Sequence, residues 1–301
     1  MKSILAAFAA LFLSAAPAGA EAPAPIPSRA PAVKAAKPAL WVVRDTDTTL
    51  YLFGTVHVLR PGIRWFEGPV KQAFDVAGEL RIEMVEPDAA TVMAKVQALA
   101  IDPQKRPLSG RLEPAERTAY GAALASLKLP PAVFDAYEPW FAGMTMGILP
   151  LQAAGFTQAS GVEAVLTAAA HAAAKSVTGL ETIDEQLGYF DSLPEPDQIA
   201  FLNATVKALP DAVKDIDVLI DLWSRGKTRR LAAQMNKSGD LTPALYTLLL
   251  KDRNARWADW VKARLATPGT VFIAVGSGHL AGPDSVQAML KARHVKTRRL
   301  Q

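Results

Sequence analysis

The chain contains no cysteine and only four histidines in 301 residues. The first absence excludes disulfide scaffolds, thiol nucleophiles, iron–sulfur clusters and cysteine-ligated zinc together. The scarcity of histidine means that any metal must be held by nitrogen and oxygen donors drawn from a very small set. Hydrophobic residues make up 50% and charged residues 21% of the chain, a balance that excludes wholesale disorder. The length suits one large domain or two modest ones, either able to bury a core.

The N-terminus reads as a secretory signal. Lys2 supplies the positive start, Ile4 to Leu13 is an uncharged apolar run, and Ala18-Gly19-Ala20 offers small residues for cleavage after Ala20. With no cysteine available, lipoprotein attachment is excluded, and a periplasmic or secreted location is expected. Removing Lys2 lowers the formal charge from +4 to +3, so the remaining chain is only mildly basic. Residues 21–39, rich in alanine and proline, read as an extended leader before a single domain over 40–300. No later stretch is long and charge-free enough for a transmembrane span. The basic tail from Lys291 to Arg299 lacks interleaved aromatics, and no nucleic-acid partner is expected.

Leu40 to Arg44 and Thr49 to Phe53 flank a polar turn and predict a β-hairpin. A helix is expected from Gly68 to Ala77 and a strand over Leu80 to Met84. Successive helices then follow to about Gly155, broken at Pro103, Pro107, Pro130-Pro131 and Pro150. A helix over 161–174 leads to a strand over 176–179. Residues 184–266 read as a mainly helical block, followed by a strand from Thr270 to Val275, a helix near 284–292 and a last strand near 295–300. The predicted class is α/β, with a sheet built from N- and C-terminal strands and a large helical insertion in the second half.

Gly54-Thr55-Val56-His57 follows the strand ending at Phe53, and Gly276-Ser277-Gly278-His279 follows the strand ending at Val275. Both are Gly-x-x-His at a strand exit, and together they use half of the histidines. Binding crevices form at the carboxyl ends of strands in α/β sheets, so neighbouring strands would bring both imidazoles to one crevice. Two neutral imidazoles and a carboxylate make a common open metal set, and Glu83, near another strand exit, is the natural third member. His171, in an alanine-rich helix, and His294, near the basic tail, read as packing or solvent-exposed residues. Trp257 and Trp260, three apart, read as one core face. A dinucleotide fingerprint fails, because Gly282 comes one position late after Gly276-x-Gly278 and the chain ends before a ribose-binding acid. No Gly-x-Ser-x-Gly elbow or Walker loop occurs.

Over roughly residues 39–300 the chain resembles the TraB/GumN family, which is related to the Tiki proteases and more distantly to ChaN- and erythromycin-esterase-like folds. The resemblance rests on Tyr51-Leu52-Phe53-Gly54-Thr55-Val56-His57-Val58-Leu59, Arg81-Ile82-Glu83, Gly179-Leu180-Glu181-Thr182 with Gln186, Arg253-Asn254, and Val275-Gly276-Ser277-Gly278-His279-Leu280. It implies an α/β core with two Gly-x-x-His elements, associated in Tiki-like members with divalent-metal-dependent peptidase activity. His57, Glu83 and His279 then become metal-site residues and Glu181 a second acidic group. One departure is Gly161-Val162-Glu163, where the family pattern leads one to expect aspartate.

These readings converge on an exported hydrolase that uses Mn, Co or Zn on a peptide or other small-molecule substrate. Glu181, or Glu83 if it is not a ligand, would serve as general base and Arg253 as stabiliser of the developing oxyanion. The alternative is a non-catalytic periplasmic binding protein that holds a haem-like ligand, a metal complex or a saccharide in the same pocket.

Overall fold

The computed structural model describes residues 34–236 and 243–301. The expected signal and most of the expected leader lie outside the described residues. Among the described residues there are eight strands: β1 (Lys34–Ala35), β2 (Leu40–Arg44), β3 (Thr48–Thr55), β4 (Ile63–Arg64), β5 (Glu79–Met84), β6 (Ser176–Glu181), β7 (Gly269–Gly276) and β8 (Thr297–Arg299). Six of them form one sheet in the order β6-β5-β7-β3-β2-β8, while β1 pairs with β4 separately. Thus the end of the expected leader joins the fold, through β1.

The four strands β6, β5, β7 and β3 run parallel, and β2 returns antiparallel beside β3. The hairpin turn is tied by Asp45, whose Oδ1 accepts from the backbone N–H groups of Asp47 and Thr48. Strong alternation places successive side chains on opposite faces. Leu50 and Leu52 of β3, with Val271, Ile273 and Val275 of β7, pack against Trp257, Ala258 and Val261 of the helix Asp252–Arg264. Phe53, Phe272 and Ala274 face the larger core on the other side. The sheet is therefore a middle layer, buried on both faces.

The α/β class is as expected, with the central strands β3 and β7 drawn from opposite ends of the described chain. The two longest helical intervals between strands are residues 89–172 between β5 and β6 and the described part of 183–264 between β6 and β7, with the single helices Gly68–Val76 before β5 and Val286–Ala292 before β8. The expected break at Pro150 is not made, because the helix Pro139–Ala153 runs through it. Proline there removes one hydrogen bond close to the C-terminal end, and burial of Trp140, Met144, Met146, Ile148 and Leu151 outweighs that loss. Trp257 and Trp260 share the core on one face of the sheet, as expected. His171 and His294 are both exposed. Among the described residues, no helix is long and apolar enough to cross a membrane.

Candidate functional site

Because β3 and β7 are parallel neighbours in register, Thr55 opposite Gly276, the two Gly-x-x-His segments leave the sheet side by side. Each glycine has a separate steric reason. A Cβ on Gly54 would lie 3.1 Å from Ser277 Cα, so the first glycine lets the second motif pack directly upon the first. A Cβ on Gly276 would lie 3.0 Å from Glu83 Oε1, 3.5 Å from His279 Cδ2 and 3.6 Å from His57 Nε2. The second glycine thus leaves a recess around which both imidazoles and the β5 carboxylate converge. Gly276 N–H also donates to Glu83 Oε1 at 2.5 Å, fixing that carboxylate at the strand exit.

Each imidazole is tied down through its Nδ1. His57 Nδ1 lies 2.7 Å from Glu163 Oε1, which also accepts from the Thr55 hydroxyl. Glu163 reaches this position from the first turn of the helix Val162–Ala172. That helix start is docked on the β3 exit by the Val162 N–H bond to Val56 O, and a Cβ on Gly161 would overlap the His57 carbonyl. His279 Nδ1 lies 2.6 Å from Asn254 Oδ1, and Asn254 Nδ2 donates to Asp284 O at 2.8 Å. The amide orientation makes Asn254 Oδ1 the acceptor, so His279 carries its proton on Nδ1 and leaves Nε2 as a lone pair. Trp257 packs against the His279 ring, with centroids 4.4 Å apart.

Arg253 joins the acidic groups. It follows the π-helical turn Thr247–Lys251 and is almost fully buried. Its Nη2 donates to Glu83 Oε2 at 2.6 Å and to Glu181 Oε2 at 2.7 Å, while Nε donates to Glu181 Oε1 at 2.9 Å. Nη1 meets Leu249 O and His279 Nε2, each at 3.2 Å. All five guanidinium N–H groups therefore have an acceptor. Glu181 also accepts from Gln186 at 3.2 Å and from Tyr189 at 3.0 Å. It does not cap the following helix, where Thr182 and Glu185 form the capping box.

These contacts set the charges. Burial favours a neutral Glu83, but the Arg253 guanidinium, together with His279, His57 and the Gly276 N–H, outweighs burial and lowers its pKa to about 2. Burial, then the Arg253 charge, push His279 down to about 3, so it is neutral. Burial also opposes protonation of His57, yet Glu163 prevails and raises its pKa to about 9.

The structure thus brings together all five residues expected from the sequence, in two tiers. His57, Glu83 and His279 line a cavity of about 40 Å³ above the recess. Arg253 and Glu181 stand behind Glu83 in the buried ion network. No cluster of three or more His, Cys, Asp or Glu is arranged as a metal site among the described residues. The donor chemistry fits an N/O cation site once a cation displaces the Nε2 proton that Glu163 stabilises on His57: two imidazoles with Nδ1 engaged, an ionised carboxylate, and a recess that a Cβ would fill. Arg253 is the competitor for the His279 Nε2 lone pair.

Two tethering groups were not assigned from the sequence. Asn254 stood beside Arg253 in a resembling motif, which was its only signal. Glu163 stood out only as a departure, and its extra methylene carries the carboxylate to His57.

A profile of the TraB/PrgY/gumN family matches residues 39–299. The chain is 21% identical over 276 residues to an uncharacterized protein of Treponema pallidum (strain Nichols), covering 85% of this chain and 80% of that protein. No solved structure matches significantly. Matching Gly-x-x-His strand exits, converging on one recess within a profile match that spans nearly all the described residues, place this chain in the TraB/PrgY/gumN family.

Proposed function

We propose that the chain is an exported, metal-dependent hydrolase of a peptide or other amide or ester bond, acting at the recess beside Gly276. One observation carries this reading. Two imidazoles, each tethered at Nδ1, turn their other edges toward Glu83 beside a glycine that keeps the intervening space clear. His57, His279 and Glu83 would hold the divalent cation, Mn, Co or Zn. Such a cation supplies Lewis acidity, polarising a carbonyl and acidifying water toward a pKa of ~7.

The chain's own residues prepare this chemistry. Glu163 and Asn254 orient the imidazoles, and Arg253 keeps Glu83 ionised. Glu83 Oε1 is the carboxylate oxygen nearest the recess and is the one that would face the cation, since Oε2 is held by Arg253. Glu181 acts through Arg253 as a positioning residue instead of taking a proton from water directly. Arg253 has all its N–H groups engaged, so its role is to place Glu83 and hold the network together. The reading includes export, carried by residues 1–20.

The test is incubation of the purified chain with a peptide library, with and without Mn²⁺, Co²⁺ or Zn²⁺. Chelator-sensitive cleavage, lost in His279→Ala, is expected. No turnover with any metal, together with saturable binding of a haem-like ligand, a metal complex or a saccharide, would instead identify a binding protein.

A further inference from the structure

The cavity above the recess has a polar floor and apolar walls. His57, Glu83 and His279 form the floor, and the walls include Val56, Ile216, Leu219, Leu231, Met235 and Leu250. Four of these come from two helices at helical spacing: Ile216 and Leu219 on Ala212–Ser224, and Leu231 and Met235 on Thr228–Asn236. Among the described residues, no Lys, Arg or Asp lines the cavity, and the one Glu is on the floor. A substrate's carbonyl that reaches the floor must therefore place its neighbouring group against aliphatic side chains. A charged group there would lose its hydration without gaining a partner.

Met235 makes the site adjustable. A Cβ on Gly278 would lie 2.5 Å from Met235 Cε, so the thioether end lies directly over the second Gly-x-x-His motif. The present cavity of about 40 Å³ has room for water but not for a large side chain. Methionine is unbranched and flexible, and swinging its terminal methyl away enlarges the cavity without moving a helix.

Resting on the hydrolase reading, we infer that the cavity is a specificity subsite for an uncharged aliphatic side chain adjoining the scissile bond, with Met235 and Leu219 as its selecting residues. Preference comes from apolar burial, and discrimination against charge comes from the aliphatic character of the described walls. A site of this kind favours leucine over alanine by roughly 10-fold or more in kcat/KM, and over lysine or glutamate by a larger factor.

The first experiment needs no turnover. In the full chain carrying ¹³C-methyl methionine, the Met235 signal is assigned by its loss in Met235→Leu. N-acetyl-leucinamide, N-acetyl-lysinamide and N-acetyl-glycinamide are then titrated separately. The expected result is a saturable shift of the Met235 methyl with the leucine compound, and at least tenfold weaker binding of the other two. Equal binding of all three, or no shift of Met235 with any, overturns the subsite. Leu219→Asp should turn the preference toward the lysine compound, and the wild-type titration decides the matter if that variant does not fold. Peptides differing at one position then test turnover with added metal. Cleavage without side-chain preference overturns the subsite alone, whereas selective binding without cleavage overturns the hydrolase reading and leaves the subsite standing.

Discussion

Among the described residues, two arginines with buried side chains, Arg253 and Arg111, anchor ion networks, and the Arg253 network adjoins a recess with imidazoles. Arg253 binds Glu83 and Glu181 at the carboxyl edge of the sheet. Arg111, in the helical region, binds Glu138 at 2.7 Å and Glu195 at 2.6 Å, with Asp102 Oδ1 3.5 Å from its Nη1. Arg106 shares this second network, donating to Asp102 at 2.9 Å and to Glu195 at 3.0 Å. The helical network ties the segment around Leu108–Arg111 to the starts of the helices Pro139–Ala153 and Glu195–Ala208. Buried arginine–carboxylate contacts are thus a building device in both places. What separates the sheet-edge network is a pair of tethered imidazoles facing a recess.

Redundancy is the second difference, and it yields the largest expected effect. Arg253→Met would leave Glu83 and Glu181 buried without their central cation, at a cost of about 3–5 kcal/mol. Arg111→Met should cost less, about 1–3 kcal/mol, because Arg106 still holds Asp102 and Glu195. Urea unfolding of both variants measures the gap, and equal losses would break the comparison.

The sheet edge should also have an alkaline weakness that the helical network lacks. His57 has a folded pKa raised to about 9 by Glu163 against the opposition of burial. Its contribution is fully present below the unfolded value of about 6.5 and is lost as pH rises through about 9. Glu163→Gln should therefore cost on the order of 2–3 kcal/mol at pH 6 and much less at pH 10. Asp102 shows the reverse. Its hydrogen bonds with Arg106 hold its pKa at about 2, so its contribution is present above about 3.8 and fades as acid is added. Chemical unfolding of wild type and Glu163→Gln across pH 3–10 would reveal an alkaline loss specific to the sheet edge. A Glu163→Gln deficit that is the same at pH 6 and pH 10 would contradict the pairing.

A smaller stability effect is expected from Gly276→Ala. Its methyl would meet Glu83 Oε1 at 3.0 Å and occupy the space between the imidazoles. The expected cost is about 1 kcal/mol of stability by overpacking, with a disproportionate loss of divalent-cation affinity. Urea unfolding and cation titration together separate the two.

Much of the sheet was legible because its signals are local. The continuous apolar runs Leu50–Phe53 and Val271–Val275 mark strands buried on both faces, and the two Gly-x-x-His segments repeat the same exit. The tiering of the site was not legible, because it depends on contacts between distant elements. Glu181 reads from the sequence as a general base, yet β6 extends to include it and Arg253 claims it. Arg253 reads from the sequence as an oxyanion stabiliser, yet its N–H groups are engaged by Glu83, Glu181, Leu249 and His279. Asn254 becomes meaningful only when its helix brings it against His279. Pro150 misled for a related reason: the local rule for proline is outweighed by burial around a helix whose partners are remote in sequence.

The most direct test of the shared recess is Co²⁺ titration of the purified chain, followed by visible absorption, alongside His57→Ala and His279→Ala. Urea unfolding checks that both variants remain folded. Saturable Co²⁺ absorption in the wild type, lost or strongly weakened in each variant, is the expected result, since both imidazoles are assigned to one cation. Unchanged Co²⁺ affinity and spectrum in both folded variants would contradict a metal site formed by the paired motifs.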